Sequence, residues 1–125
     1  MNEDNPFFEL SETTIAIIGL GLMGGSLAAA LKDKCKTLIG FDQNIKSVKY
    51  ALEKRWIKEG YDQLNSALAR AQWIILATPV RSILNLLEEI MPFLTPNSTV
   101  FDLGSVKTPI MEKMATLPRS INVLG

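Results

Sequence analysis

Residues 13–24 read TTIAIIGLGLMG, and this stretch decides the fold. Its first half is apolar and β-branched, which predicts a buried strand of a parallel sheet. Its second half has the spacing Gly-x-Gly-x-x-Gly and leads into a run rich in Ala and Leu, which predicts a tight turn and then a helix packed on the sheet. A strand, a glycine turn and a helix in this order are typical of a nucleotide-binding βα unit.

The three glycines of this loop are expected to serve different purposes. Gly19 makes the tight turn, Gly21 lets the backbone approach a pyrophosphate closely, and Gly24 allows contact between helix and strand. The first helical turn also points N–H groups at the phosphates. We therefore predict that a dinucleotide is held by the loop Gly19, Leu20, Gly21, Leu22, Met23 and Gly24. A glycine turn that merely joins strand to helix is the alternative.

The rest of the chain alternates between strands and helices. Further strands are predicted at residues 37–42, 73–77, 98–102 and 121–124, and helices at 23–32, 45–54 and 80–91 and from Thr108-Pro109 onward. Asn44 is the predicted cap of the second helix, with Val48 and Leu52 facing inward, and Asn65 or Ser66 caps a brief helix. Residues 56–63 are compatible with a loop or a short edge strand. The fold class is therefore α/β: a Rossmann-type, doubly wound, mostly parallel sheet with helices on both faces.

Length and composition suit one domain. The chain has 125 residues, of which 47% are hydrophobic, enough for a single core. We expect a polar N-terminal leader at residues 1–12 and a nucleotide-binding domain at residues 13–125.

Asp42 is the candidate that decides which dinucleotide binds. It ends the second predicted strand, where an acidic residue accepts hydrogen bonds from the adenosine ribose hydroxyls. A carboxylate there repels a 2′-phosphate, so NAD is preferred over NADP. The alternative role for Asp42 is that of a helix N-cap.

Two further loops lie at predicted strand ends. Ala77, Thr78, Pro79 and Val80 follow the most apolar strand and are expected near the nicotinamide half of the cofactor, although the proline could simply end a strand and begin a helix. The loop at residues 102–107 combines Gly104 with the hydroxyl of Ser105 and an ammonium group, and either could meet nicotinamide or substrate.

Charge and composition exclude several classes of function. Basic and acidic residues balance at 13 each, so no net field attracts nucleic acid or an anionic membrane, and no segment has transmembrane length. The single cysteine, Cys35, has no partner for a disulfide or a metal site, which fits a reducing cytoplasm and predicts no metal. Histidine is absent, and with it the commonest general acid or base at neutral pH.

Taken together, the glycine loop, Asp42, the Ala-Thr-Pro-Val segment and the sequence Asp-Leu-Gly-Ser-Val-Lys at residues 102–107 resemble the prephenate and arogenate dehydrogenase family of tyrosine biosynthesis. The resemblance implies oxidative decarboxylation of prephenate or arogenate with hydride transfer to NAD. It also implies that Ser105 contacts the substrate hydroxyl and a catalytic histidine. A helical second domain and a homodimer are implied for the full-length enzyme.

The family's histidine lies in a Gly-Gly-His-Pro-Met segment shortly after the last predicted strand, and the present sequence ends at Gly125. We therefore expect a nucleotide-binding half that binds NAD but does not turn over substrate alone. Two alternatives remain open. One is the cofactor domain of another Rossmann dehydrogenase, of the β-hydroxyacid dehydrogenase or pyrroline-carboxylate reductase type. The other is a stand-alone NAD-binding regulatory module.

Overall fold

The computed structural model of the chain describes residues 10–78, 80–96, 98–102 and 122–124. Within these residues the strands form one six-stranded sheet in the order β3-β2-β1-β4-β5-β6. Every neighbouring pair is parallel. This order is that of the doubly wound dinucleotide-binding fold, so the predicted fold class is confirmed.

The helices and strands alternate along the chain as predicted. The strands are β1 (Thr14–Ile18), β2 (Thr37–Phe41), β3 (Glu59–Tyr61), β4 (Trp73–Leu76), β5 (Thr99–Asp102) and β6 (Asn122–Leu124). The α-helices are α1 (Leu22–Leu31), α2 (Ile45–Glu53) and α3 (Val80–Ile90). Short 3-10 helices cover Leu10–Glu12, Ser66–Arg70 and Met91–Phe93. The helix predicted from Thr108-Pro109 lies outside the described residues.

Two hydrophobic clusters cover the two faces of the sheet. Because side chains alternate along a strand, Ile15 and Ile17 of β1 point to one face and Ala16 and Ile18 to the other. The first face packs against α1 and α2, and the second against α3 and two of the 3-10 helices. Burial on both faces explains why β1 is apolar at every position rather than alternating with polar residues.

A side-chain hydrogen bond caps the amino end of α2, and two small or branched residues form its buried face. The Asn44 side chain accepts a hydrogen bond of 3.0 Å from the Lys46 N–H, so Asn44 is the N-cap, as predicted. The expectation that Leu52 faces inward is wrong, because its side chain is 38% exposed. Val48 and Ala51 are the buried residues of this helix.

Strand β3 forms one edge of the sheet. Residues 56–63, which the sequence leaves open between loop and strand, contain β3, and among the described residues β3 pairs only with β2. At the other end of the described chain, Leu10 packs against the core beside α1. The division into a leader and a domain at residue 13 stays a prediction.

The described part of the chain contains no helix with the length and apolar character needed to span a bilayer.

Candidate cofactor site

The carboxyl ends of β1 and β4 meet at the centre of the sheet, where the chain turns to opposite sides after β1 and after β4. The N–H of Ala77 donates a 2.8 Å hydrogen bond to the carbonyl of Ile18, and the N–H of Gly19 donates a 2.7 Å bond to the carbonyl of Phe41. The loops after β1, β2 and β4 are therefore held together at one edge. In open parallel sheets, ligands bind at such a switch point, where the connections from neighbouring strands leave toward opposite faces of the sheet.

The structure separates the roles of the three glycines. Gly19 has φ of +103°, and a Cβ there would lie 2.8 Å from the Ala77 carbonyl oxygen, so both conformation and space require glycine. A Cβ on Gly24 would overlap the Gly19 carbonyl oxygen, so this glycine is needed where α1 meets its own loop. Around Gly21, by contrast, a Cβ would meet no atom within 4 Å. No contact among the described residues therefore explains a glycine at position 21.

The amino end of α1 faces this open space. The Gly25 N–H donates a 2.8 Å hydrogen bond to the Gly21 carbonyl, which is the first bond of the helix. The N–H groups of residues 22–24 come before it in the sequence and belong to the first turn, where N–H groups have no acceptor within the helix. Gly21 provides no side-chain cap. Such an end carries partial positive charge and binds anions such as a pyrophosphate.

Other residues of the predicted loop differ in exposure. The Leu20 side chain is buried in the core, whereas Leu22 and Met23 are 90% and 52% exposed. Leu20 therefore anchors the loop, and the side chains of Leu22 and Met23 stand beside the helix end.

Asp42 follows β2 and binds backbone groups on both sides. Its Oδ2 accepts a 2.7 Å hydrogen bond from the Leu20 N–H, and its Oδ1 accepts a 2.8 Å bond from the Asn44 N–H. Asn44, and not Asp42, caps α2. Because each carboxylate oxygen has two lone pairs, both can still accept a bond from a hydroxyl group. Asp42 therefore fixes the glycine loop while keeping capacity for a ligand.

Thr78 follows β4 on the other side of the loop. Its Oγ1 is shielded from solvent and has no hydrogen-bond partner among the residues that the structure describes. A buried hydroxyl without a partner is costly, so a hydrogen bond is missing at this position among the described residues. Ala77 lines the same site, whereas Pro79 lies outside the described residues and Val80 begins α3.

Strand β5 also ends at this edge of the sheet. Asp102 is the last residue of β5 and pairs in register with Leu76 at the end of β4. Residues 103–110, which include the predicted Gly104 and Ser105, lie outside the described part of the chain.

The loops after β1, β2, β3 and β4 border one open groove with a volume of about 960 Å³. Ligand pockets typically measure about 300–1,000 Å³, so the groove suits a large ligand. It is lined by residues of β1, β2 and α3 and of the segments after β1, β2, β3, β4 and α3: Ile18, Gly19, Gly21, Phe41, Asp42, Gln43, Asp62, Gln63, Leu64, Ala77, Thr78, Asn85, Leu86, Glu89 and Phe93.

The sequence predicts the central part of this groove but not its outer part. No role is predicted for residues 62–64, because the sequence of residues 56–63 is compatible with a loop or a short edge strand. Leu86 lies within the predicted helix 80–91, and the sequence predicts no binding role for it. The signal that could have found this part of the groove is the pair of polar residues Asn85 and Glu89 on the same helix.

Every charged side chain among the described residues that line the groove is negative. Asp42, Asp62 and Glu89 line it, and none of these lining residues is Lys or Arg. The described part of the chain also holds no cluster of His, Cys, Asp or Glu that could bind a metal ion. Positive potential comes instead from the end of α1.

A chain of side-chain contacts supports the outer groove from behind. The ring of Phe41 stacks on Tyr61 with centroids 5.6 Å apart, and the Tyr61 hydroxyl donates a 2.8 Å bond to Glu59. Glu59 also receives two hydrogen bonds, of 2.9 and 2.6 Å, from Arg70. The Arg70 guanidinium and the Tyr61 hydroxyl lower the pKa of Glu59 from 4.5 to about 2, so Glu59 is ionised at neutral pH. The Phe41 ring is thus held in place at the groove.

Comparison with known proteins identifies relatives with this arrangement. The family model for the nucleotide-binding domain of prephenate dehydrogenase matches residues 27–125. Prephenate dehydrogenase of Bacillus subtilis is 34% identical over 102 residues, which is 79% of this chain and 28% of the relative. The chain therefore spans less than a third of that relative's length.

Solved structures agree with this match. A prephenate dehydrogenase from A. aeolicus, in complex with hydroxyphenyl propionate and NAD+, superposes with a TM-score of 0.79 and 28% identity, over 90% of this chain and 41% of the other. Synechocystis arogenate dehydrogenase gives a TM-score of 0.79 and 38% identity, over 85% and 38%. A 3-hydroxyisobutyrate dehydrogenase of Mycobacterium tuberculosis, at 20% identity, shares the fold alone.

Proposed function

Because the chain belongs to the prephenate dehydrogenase family, as its nucleotide-binding domain, we propose that its groove binds NAD. We propose further that the whole protein transfers a hydride from prephenate or arogenate to that cofactor, with loss of carbon dioxide as the ring becomes aromatic. The chain spans 28% of its Bacillus subtilis relative, so the activity is proposed for the whole protein.

The observation that best supports NAD binding is the open space at Gly21. A packing role would leave neighbours around the missing Cβ, as it does at Gly19 and Gly24, but none lies within 4 Å of the Gly21 position. A glycine that is free of protein neighbours and lies beside a helix end suits the close approach of a pyrophosphate. The groove thus fits the cofactor at the point where its charge is greatest.

Each end of the cofactor has a candidate partner in the chain. The N–H groups of residues 22–24 would receive the pyrophosphate, and Asp42 the adenosine ribose hydroxyls. Ala77 and Thr78, which line the groove after β4, would lie toward the nicotinamide end. Asp42, Asp62 and Glu89 together disfavour a 2′-phosphate, so NAD is the expected dinucleotide.

Chemistry on the substrate needs a base in addition to the cofactor. NAD accepts the hydride, while a group of suitable pKa must take the proton from the substrate hydroxyl. Ser105 is the proposed contact for that hydroxyl, and these 125 residues contain no histidine. We therefore expect the chain alone to bind NAD without turnover. For the whole protein we propose a cytoplasmic homodimer.

Two measurements test this function. Calorimetric titration of the 125-residue chain with NAD and NADP should show binding of NAD and at least tenfold weaker binding of NADP. The whole protein should reduce NAD with prephenate or arogenate, while the 125 residues should not. Equal affinity for the two dinucleotides would contradict the role of Asp42. Turnover by the 125 residues would contradict the need for a base outside them.

A further inference from the structure

Asp42 makes a third hydrogen bond, through its backbone. The N–H of Asp42 donates a 3.1 Å bond to the carbonyl of Tyr61, the last residue of β3. Strand β3 has only three residues and, among the described strands, pairs only with β2. A short edge strand receives ladder bonds on one side alone, so the position of Asp42 depends on what else holds Tyr61.

The Tyr61 side chain is held at both ends. Its ring stacks on Phe41, with centroids 5.6 Å apart and an interplanar angle of 29°, and its hydroxyl donates a 2.8 Å bond to Oε1 of Glu59. Phe41 directly precedes Asp42. Tyr61 therefore contacts two successive residues at the end of β2, the first through its ring and the second through its carbonyl group.

Arg70 connects this arrangement to the core. It ends the 3-10 helix Ser66–Arg70, in which Ala67 and Leu68 are buried. Its Nη1 donates a 2.9 Å bond to Oε2 of Glu59, and its Nη2 donates a 2.6 Å bond to Oε1. A guanidinium that holds a carboxylate at two points fixes its direction as well as its distance. Arg70 thus ties the edge strand β3 to a helix that is anchored in the core.

The residues of this tie stand outside the groove. Arg70, Glu59 and Tyr61 are not among the described residues that line it, so they affect a ligand there only indirectly. We propose that Arg70 is a positioning residue, which fixes Tyr61 and through it the Asp42 carboxylate that selects NAD over NADP. This role rests on the proposed binding of NAD.

The ratio of NAD affinity to NADP affinity distinguishes this role from two simpler ones. If Asp42 is displaced, its bond to the ribose weakens and its repulsion of a 2′-phosphate falls, so the ratio decreases. If loss of Arg70 only removes a positive charge, NADP loses more affinity because it carries the additional phosphate, and the ratio increases. If loss of Arg70 only destabilises the fold, both affinities fall equally and the ratio stays constant.

Calorimetric titration of the 125-residue chain with both dinucleotides measures this ratio. Arg70→Ala should lower the ratio by about threefold or more. Tyr61→Phe should lower it in the same direction without any change of charge, because the bond to Glu59 is lost while the ring is kept. The Arg70 side chain is 53% exposed, so its variant should fold, and the thermal unfolding midpoint checks this.

Two controls assign the effect to the tie. Lys58→Ala removes the same charge from an exposed residue next to Glu59, which among the described contacts is bonded by Arg70 and Tyr61 but not by Lys58. The ratio should not fall in this control. In the second control, Arg70→Ala is combined with Asp42→Ala. Because the group to be positioned is absent, the ratio should equal that of Asp42→Ala alone.

The outcomes separate the two proposals. Failure of NAD to bind at all would overturn both the proposed function and the positioning role. NAD binding with an unchanged or increased ratio in folded Arg70→Ala would overturn the positioning role and leave NAD binding intact. A further fall of the ratio in the double variant would show that Arg70 acts through a residue other than Asp42, which also overturns the proposal.

Discussion

The N–H of Leu20 donates a 2.7 Å hydrogen bond to Oδ2 of Asp42, which joins the loop after β1 to the end of β2. The same carboxylate receives the N–H of Asn44 through its other oxygen. The residue expected to select the cofactor therefore also holds the loop in shape. The effect of substituting Asp42 must therefore be measured both as the free energy of unfolding and as the affinity for NAD.

Replacing Asp42 by Ala should lower both quantities. Two backbone N–H groups lose a charged acceptor, which we expect to cost about 1.5–3 kcal/mol in the free energy of unfolding. Affinity for NAD should fall at least tenfold, and the preference over NADP should shrink because the repelling charge is gone. Urea unfolding and calorimetric titration measure the two effects. Undiminished NAD preference in a folded variant would show that the selecting group lies elsewhere.

Two alanine substitutions should separate folding from binding within the glycine loop. In Gly24→Ala the new methyl overlaps the Gly19 carbonyl, and we expect a loss of about 3 kcal/mol or more in the free energy of unfolding. In Gly21→Ala no protein atom opposes the methyl, so stability should stay within about 0.5 kcal/mol of wild type. Gly21→Ala should nevertheless bind NAD at least tenfold more weakly. Wild-type affinity in that variant would remove the main support for cofactor binding at the loop.

Arg55→Gly should stabilise the chain. Arg55 follows the C-cap of α2 and has φ of +61°, a conformation that costs a side-chain-bearing residue energy but suits glycine. We expect the free energy of unfolding to rise by about 0.5–1 kcal/mol. Lys49→Gly, at an exposed position inside α2, is the control and should lower it by about 1 kcal/mol. The two melting temperatures should move in opposite directions, and a shared direction would refute the conformational explanation.

The ion pair of Glu59 and Arg70 should stabilise the chain only above acidic pH. Because the pKa of Glu59 is lowered from 4.5 to about 2 in the folded chain, its contribution is present above pH 4.5 and is lost as the pH falls toward 2. The Arg70 side chain is 53% exposed, so water screens the pair and its contribution to stability should be small. Urea unfolding of wild type and Glu59→Gln at pH 7 and pH 2.5 measures this. A difference that grows at low pH would contradict the assigned sign.

The sequence was sufficient where one segment determines its own conformation. The glycine loop, the apolar strand β1 and the Asn44 cap each depend on a few adjacent residues, and all were predicted. Strand β3 was not resolved from sequence, because Glu59, Gly60 and Tyr61 form no apolar run and pair on one side only. Its strand character comes from β2, a partner distant in the sequence.

The outer groove escaped prediction for the same reason. Asp62 and Glu89 lie on separate elements, and only the packing of Leu64 and Leu86 into one cluster makes them line one groove. The double use of Asp42 was also hidden. Its hydrogen bond to Leu20 spans 22 positions of sequence, which no local pattern reports.

The contrast among the three glycines has a use in reading diverged sequences of this fold. Glycine at the positions of Gly19 and Gly24 is required because a side chain would clash with the protein's own atoms. Its presence in a distant homologue therefore indicates only that the fold is shared. Glycine at the position of Gly21 is expected only where a ligand must approach the backbone closely. A homologue that keeps the outer two glycines and carries a larger residue at the middle one should be classed as a structural descendant that has abandoned its dinucleotide.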